Sequence, residues 1–163
     1  MKQDFIGRTL AQLPDKREDD DVVQVASRLY RVLSFLDRRL ADVFGKLGLK
    51  HGEVDVLNSL ALGGEEPKNP GTVAASLICS SGAMTNRLDR LERAGYIERQ
   101  HGTADRRSVL LSITPEGRRA VQRANAARDA VADQIVPGLT AAERKQLTGL
   151  LRKMLIAFEN DES

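Results

Sequence analysis

Apolar residues recur at three- and four-residue steps through the first third of the chain: Val22, Val25, Leu29, Val32, Leu33, Leu36, Leu40, Val43, Phe44 and Leu47. That spacing lays one apolar stripe along about seven turns of helix. Asp19, Asp20 and Asp21 stand where acids suit a helix N-terminus, and Gly45 or Gly48 ends the element. Ahead of it, Phe5, Ile6, Leu10 and Leu13 predict a short helix or arm, closed by Pro14 and the charged run 15–21. The other end of the chain has the same character. Thr140-Ala-Ala-Glu143 reads as a capping box opening a helix with Leu147, Leu150, Leu151, Met154, Leu155 and Phe158 on one side. Thr114-Pro115 reads as the N-cap and first turn of a further helix running to about Ile135, where Pro137-Gly138 stops it.

The middle of the chain is built from shorter pieces. A helix is expected around Glu53 to Leu62, then a loop over 63–69, a helix from Pro70 through Leu77, a turn at Ile78-Cys79-Ser80, and a helix from Ser81 to Ala94. Helix, short turn, helix is the spacing of a helix-turn-helix unit. Gly95 follows as a C-terminal cap, and the period then changes from 3.6 to 2. Residues 96–100 and 108–113 predict two strands of a hairpin around 101–107, with Gly102 and paired arginines at its tip. A lone hairpin is marginal, so it is expected to lie against the helix-turn-helix unit as a wing. The fold class that follows is mainly α with a small β-hairpin wing. The chain reads as a single domain, 1–163. Its parts are an N-terminal arm and dimerisation helix over 1–48, a winged helix-turn-helix over 49–113, and C-terminal dimerisation helices over 114–163. The middle segment already forms its own compact unit. Pairing with a second copy of the chain is therefore the simplest way to cover the terminal stripes.

On the helix over 81–94, Met84, Leu88 and Leu91 share the inward face, leaving Ser81, Thr85, Asn86, Arg90 and Arg93 outside. Such a face fits a major groove: Ser, Thr and Asn can meet base edges, and Arg can meet guanine or phosphate. Paired Arg106 and Arg107 at the hairpin tip suit a minor groove, where negative potential is deepest. A winged-helix module that binds protein, not DNA, is the alternative; it predicts no salt-sensitive duplex binding.

Composition agrees with this without deciding it. Of 163 residues 41% are hydrophobic but only 4% aromatic, with no Trp, so the core rests on aliphatic side chains that suit stacked helices. The net charge of +2 is small, but ten arginines face five acids between Arg87 and Arg128. Residues 1–21 tilt the other way, with four bases and six acids. His51, His101 and Cys79 are scattered, and no phosphate loop, dinucleotide fingerprint or zinc spacing accompanies them. Neither an enzyme nor a bound metal or cofactor is expected. No apolar run approaches the ~20 residues that span a bilayer, and the N-terminus lacks an export signal. A cytoplasmic location without membrane contact is expected.

The run from Ser81 to Ile97, the wing triplet Asp105-Arg106-Arg107, and Leu111-Ser-Ile-Thr-Pro-Glu-Gly117 together resemble the signature of the MarR family of regulators. The resemblance spans about residues 22–158. It implies an obligate homodimer of winged helix-turn-helix lobes that binds double-stranded DNA at a palindromic operator. Arg107, with Arg106 beside it, would reach the minor groove and Asp105 would brace the wing. Members of the family usually repress, and release DNA when a small aromatic or phenolic anion binds. This chain departs from the pattern at Lys50, where a Ser or Thr helix cap is common. Some members carry redox-sensing cysteines, but Leu77 and Ile78 beside Cys79 favour a small buried hydrophobe.

Asp55 falls among Val54, Val56 and Leu57, and a carboxylate near a core should find a cation; Arg87 and Arg99 are the candidates. The trio is similar to that of the urate-responsive subgroup, in which an Asp and an Arg brace the DNA-binding lobe and an anionic purine displaces the Asp. That subgroup also uses a Trp in an N-terminal helix. Here Leu10 stands nearest the equivalent place, which points to a small aromatic anion other than urate.

Overall fold

The computed structural model describes residues 3–13, 20–64, 66–77, 79–101 and 109–161. It divides the chain into two compact units, residues 1–130 and 131–163. In the first lie α1 (Phe5–Leu10), α2 (Asp21–Gly45), α3 (His51–Leu62), α4 (Pro70–Ser76), α5 (Ser81–Arg93), β1 (Ile97–His101), β2 (Val109–Ile113) and α6 (Pro115–Asp129). The second holds α7 (Ala132–Ile135) and α8 (Ala141–Asp161). The fold is mainly helical with one two-stranded antiparallel sheet, as the change of period predicts.

Local chemistry sets most helix starts. Asp20 accepts from the backbone N–H of Val22 and Val23, Asn69 from Gly71 and Thr72, Ser80 from Ala83, and Thr114 from Gly117. Each satisfies a donor the helix itself leaves open. α5 ends in a Schellman turn: Tyr96 N–H reaches Leu91 C=O at 2.9 Å and Gly95 N–H reaches Glu92 C=O at 2.9 Å. The turn needs a left-handed residue, and Gly95 supplies it at φ +72°.

The core gathers the C-terminal end of α2 with α3, α4, α5, the hairpin and α6 as far as Ala124. Phe44, Val54, Leu57, Val73, Leu91, Ile97, Leu111 and Ala124 are all buried there. β1 pairs β2 antiparallel with Ile97 opposite Ile113 and Arg99 opposite Leu111. Lys68, in the loop before α4, adds a bridge to the free edge of β2, exchanging backbone hydrogen bonds of 2.9 and 2.8 Å with Leu111. The hairpin is thereby tied to the helix-turn-helix unit on both sides, which a lone hairpin needs. Gly117 permits the next packing step, because a side chain there would strike the Tyr96 carbonyl and the Ile113 side chain.

One expected element is shorter than its pattern. The helix opened by Thr114 stops at Asp129, six residues before Ile135, and α7 is a separate turn. Neither Gly nor Pro marks that break, and no residue in the structure explains it. Within the second unit, the capping box opening α8 forms as read: Thr140 N–H donates to Glu143 at 2.8 Å and Glu143 N–H to Thr140 Oγ1 at 3.3 Å. None of the residues of α8 is buried within the chain. Among the described residues no helix is long and apolar enough to cross a membrane.

Candidate nucleic-acid interface

α4 and α5, joined through residues 77–80, form the helix-turn-helix corner, held by Val73 of α4 against Met84, Leu88 and Leu91 of α5. With that face committed to the core, Ser81, Thr85, Asn86, Arg90 and Arg93 are all exposed. At ~100° per residue, Asn86 and Arg93 stand in the middle of the outward face, and Arg90 on the flank nearer α3. Thr85 Oγ1 donates to Ser81 C=O at 3.0 Å, which turns its hydroxyl lone pairs outward as acceptors. Arg93 Nε donates to Asp89 C=O at 3.1 Å. The wing residues Asp105, Arg106 and Arg107 lie outside the described residues.

Arg90 has a carboxylate partner that the sequence reading missed. Its Nε lies 2.5 Å from Oε1 of Glu53, a residue of the first turn of α3 and the one buried charged side chain among the described residues. The other oxygen of Glu53 accepts the Lys50 N–H at 2.8 Å. The Lys50 side chain carries no acceptor, so the side-chain capping bond at this helix start comes from Glu53, where a Ser or Thr is usual. The signal was legible as an acid three residues after the cap position.

The expected trio of Asp55, Arg87 and Arg99 does not come together. Asp55 is not pressed against the core; its carboxylate is 41% exposed and lies 3.8 Å from His51 Nε2, while His51 Nδ1 is 3.6 Å from Asp37 of α2. Two positions along a helix rotate a side chain by ~200°, so Glu53 points inward and Asp55 does not. Arg87 lays its guanidinium over Gly52, whose missing side chain makes the room. Arg99 turns instead to α5, with Nη2 2.7 Å from Asp89 and Nη1 2.7 Å from Glu92. It thus neutralises two acids of the helix that carries the polar outward face. Cys79 is half-buried and packs on the core.

This arrangement agrees with what known proteins show. The profile of the MarR family matches residues 60–109. The chain is 36% identical over 115 residues to the HTH-type transcriptional regulator PecS of Dickeya dadantii, covering 69% of each chain. Among solved structures, a mutant of MarR from E. coli complexed with operator DNA aligns with a TM-score of 0.74 and 26% identity, covering 83% of this chain and 96% of that one. BpsR of Bordetella bronchiseptica, whose DNA binding is regulated by 6-hydroxynicotinic acid, aligns with a TM-score of 0.68 and 27% identity over 80% and 98% of the two chains. With its helix-turn-helix corner, pinned wing and exposed polar face on α5, this chain belongs to the MarR family of DNA-binding transcriptional regulators.

Proposed function

We propose that the chain acts as a homodimeric repressor that binds a palindromic operator and is released by a small aromatic anion. The observation that carries the dimer is the run of large apolar side chains left exposed within one chain. On α2 these include Val22, Val25, Val32, Leu33 and Phe35; on α8, Leu150, Leu155, Ile156 and Phe158. A monomer in water rarely keeps such stripes bare, and a second copy offers the same faces in return. Two copies then present two α5 helices, which fit half-sites about one turn, ~10 bp, apart on one face of DNA.

For the effector, BpsR supplies the chemical precedent of an aromatic carboxylate. In this chain an open cleft of about 790 Å³ between α1 and α2 is lined by Tyr30 and Phe35 with Arg31 and Arg38, a set suited to a flat anion. Asp55 and Arg87 remain proposed effector residues near the α2–α3 junction, as does Arg99, which would have to leave Asp89 and Glu92 to meet an anion. A ligand that binds the DNA-free conformation more tightly is what release requires.

The test starts from a duplex that the protein itself selects from a random pool. Gel shift with sedimentation velocity should give one dimer per duplex, and a monomer at micromolar concentration contradicts the reading. Titrating that complex with urate, xanthine, salicylate and 6-hydroxynicotinate should release DNA with at least one of them. Repeating it with Asp55→Asn and Arg87→Ala assigns the site: an unchanged response in both removes these residues from the mechanism.

A further inference from the structure

We propose that Glu53 is a positioning residue for DNA binding: its buried carboxylate holds Arg90 by Nε, so that the two remaining guanidinium nitrogens face a backbone phosphate. The inference rests on the DNA-binding role of α5 and names how one of its arginines is aimed. The carboxylate is 4% exposed and each of its oxygens takes one donor, Lys50 N–H at 2.8 Å and Arg90 Nε at 2.5 Å. A buried charge held this way cannot release its partner cheaply. The stem of Arg90 is therefore fixed to α3, a different helix from its own. Its side chain is nevertheless 45% exposed, and none of its described bonds involves Nη1 or Nη2.

The neighbouring arginines are arranged otherwise. Arg99 commits both terminal nitrogens to Asp89 and Glu92, and Arg87 lies over Gly52. Arg93 bonds a carbonyl of its own helix and has no carboxylate partner among the described residues. Arg90 alone of these four combines a stem anchored on another helix with a tip in solvent. Guanidinium geometry permits this double use, since Nε and the Nη pair point in different directions. A side chain already held gives up less rotamer freedom when it meets a phosphate.

Simple charge counting predicts the opposite sign, because removing a carboxylate near DNA should strengthen binding. The experiment exploits that conflict. Affinity for the selected duplex is measured over a salt series by fluorescence anisotropy for the parent, Glu53→Gln, Arg90→Ala, Arg90→Lys and the Glu53→Gln/Arg90→Ala double variant. Circular dichroism melts establish which variants fold. Glu53→Gln should weaken binding about tenfold with the salt slope unchanged, since the phosphate contact survives but is no longer aimed. Arg90→Ala should weaken binding and flatten the slope by about one, and adding Glu53→Gln to it should cost nothing further. Arg90→Lys should bind like Arg90→Ala, because one ammonium cannot serve the carboxylate and the phosphate together.

Equal or tighter binding by Glu53→Gln overturns the proposal. So does a tenfold loss that persists in the Arg90→Ala background, which would mark Glu53 as purely structural. If Glu53→Gln fails to fold, Arg90→Lys decides, and parent-like binding by it is the contrary result. A parent that selects no duplex at any salt removes the DNA-binding reading itself, which is a different failure.

Discussion

The guanidinium of Arg99 lies 2.7 Å from the carboxylate of Asp89, joining β1 to α5, the helix with the exposed polar face. The same side chain holds Glu92 at 2.7 Å, so two acids of α5 depend on one cation for their neutralisation. Arg99→Ala leaves both carboxylates bare on the helix proposed to meet DNA. Duplex affinity should fall, and the loss should shrink as salt rises, because repulsion between exposed charges is screened. Adding Asp89→Asn should restore part of it. Partial exposure of the pairs limits the stability cost to about 1 kcal/mol or less. Anisotropy titrations at low and high salt check this, and a salt-independent loss contradicts it.

Gly117 and Gly52 make opposite predictions for the same substitution. A methyl at Gly117 meets the backbone carbonyl of Tyr96, which is fixed by its neighbours, so Gly117→Ala should destabilise the fold by about 1–3 kcal/mol. A methyl at Gly52 meets the mobile end of Arg87, and the helix gains about 0.5–1 kcal/mol from losing a glycine. Gly52→Ala should therefore be neutral or mildly stabilising while moving Arg87. Urea denaturation of the two variants separates them.

Leu33 and Leu150 are each more than half exposed, on α2 and α8, far in sequence from the buried core residues of α3 to α6. Leu33→Asp and Leu150→Asp should weaken self-association without unfolding the lobe. Sedimentation equilibrium should show monomer where the parent is dimeric, with helical circular dichroism largely retained. A dimer that persists in both variants moves the interface elsewhere.

Glu143 gives a pH dependence at the start of α8. The Thr140 hydroxyl, then the Thr140 backbone N–H, donate to its carboxylate and hold its pKa below the ordinary glutamate value. A lowered folded pKa means the cap stabilises α8 above the unfolded value and is lost as pH falls through the folded one. Thr140→Ala removes the first donor and should move the Glu143 titration partway back up. Carboxyl-carbon NMR titration of the parent and variant reads this directly.

What was legible in the sequence was chemistry contained within a few residues. The Thr140–Glu143 box, the cap at Thr114 and the glycine turn after α5 are all set by neighbours in the chain. The outward face of α5 followed from period alone, since burying Met84, Leu88 and Leu91 leaves Asn86 and Arg93 outside. Partnerships across the fold were not legible. Arg90 finds Glu53 at a separation of 37 residues, and Arg99 passes over Asp55 for two acids on α5. Asp55 misled because its sequence neighbours are apolar, although rotation about α3 carries its side chain away from theirs. The end of α6 had no residue to announce it.

The salt dependence of duplex binding bears on all of this at once. Anisotropy with the selected duplex and a scrambled control, from about 50 to about 200 mM salt, gives affinity, preference and the number of phosphates engaged. Two α5 helices each presenting Arg90 and Arg93 predict a log–log slope of about −3 to −4 or steeper, with the selected duplex bound at least ~10³-fold more tightly. A slope near zero, or equal affinity for the two duplexes, contradicts a sequence-reading DNA interface on α5.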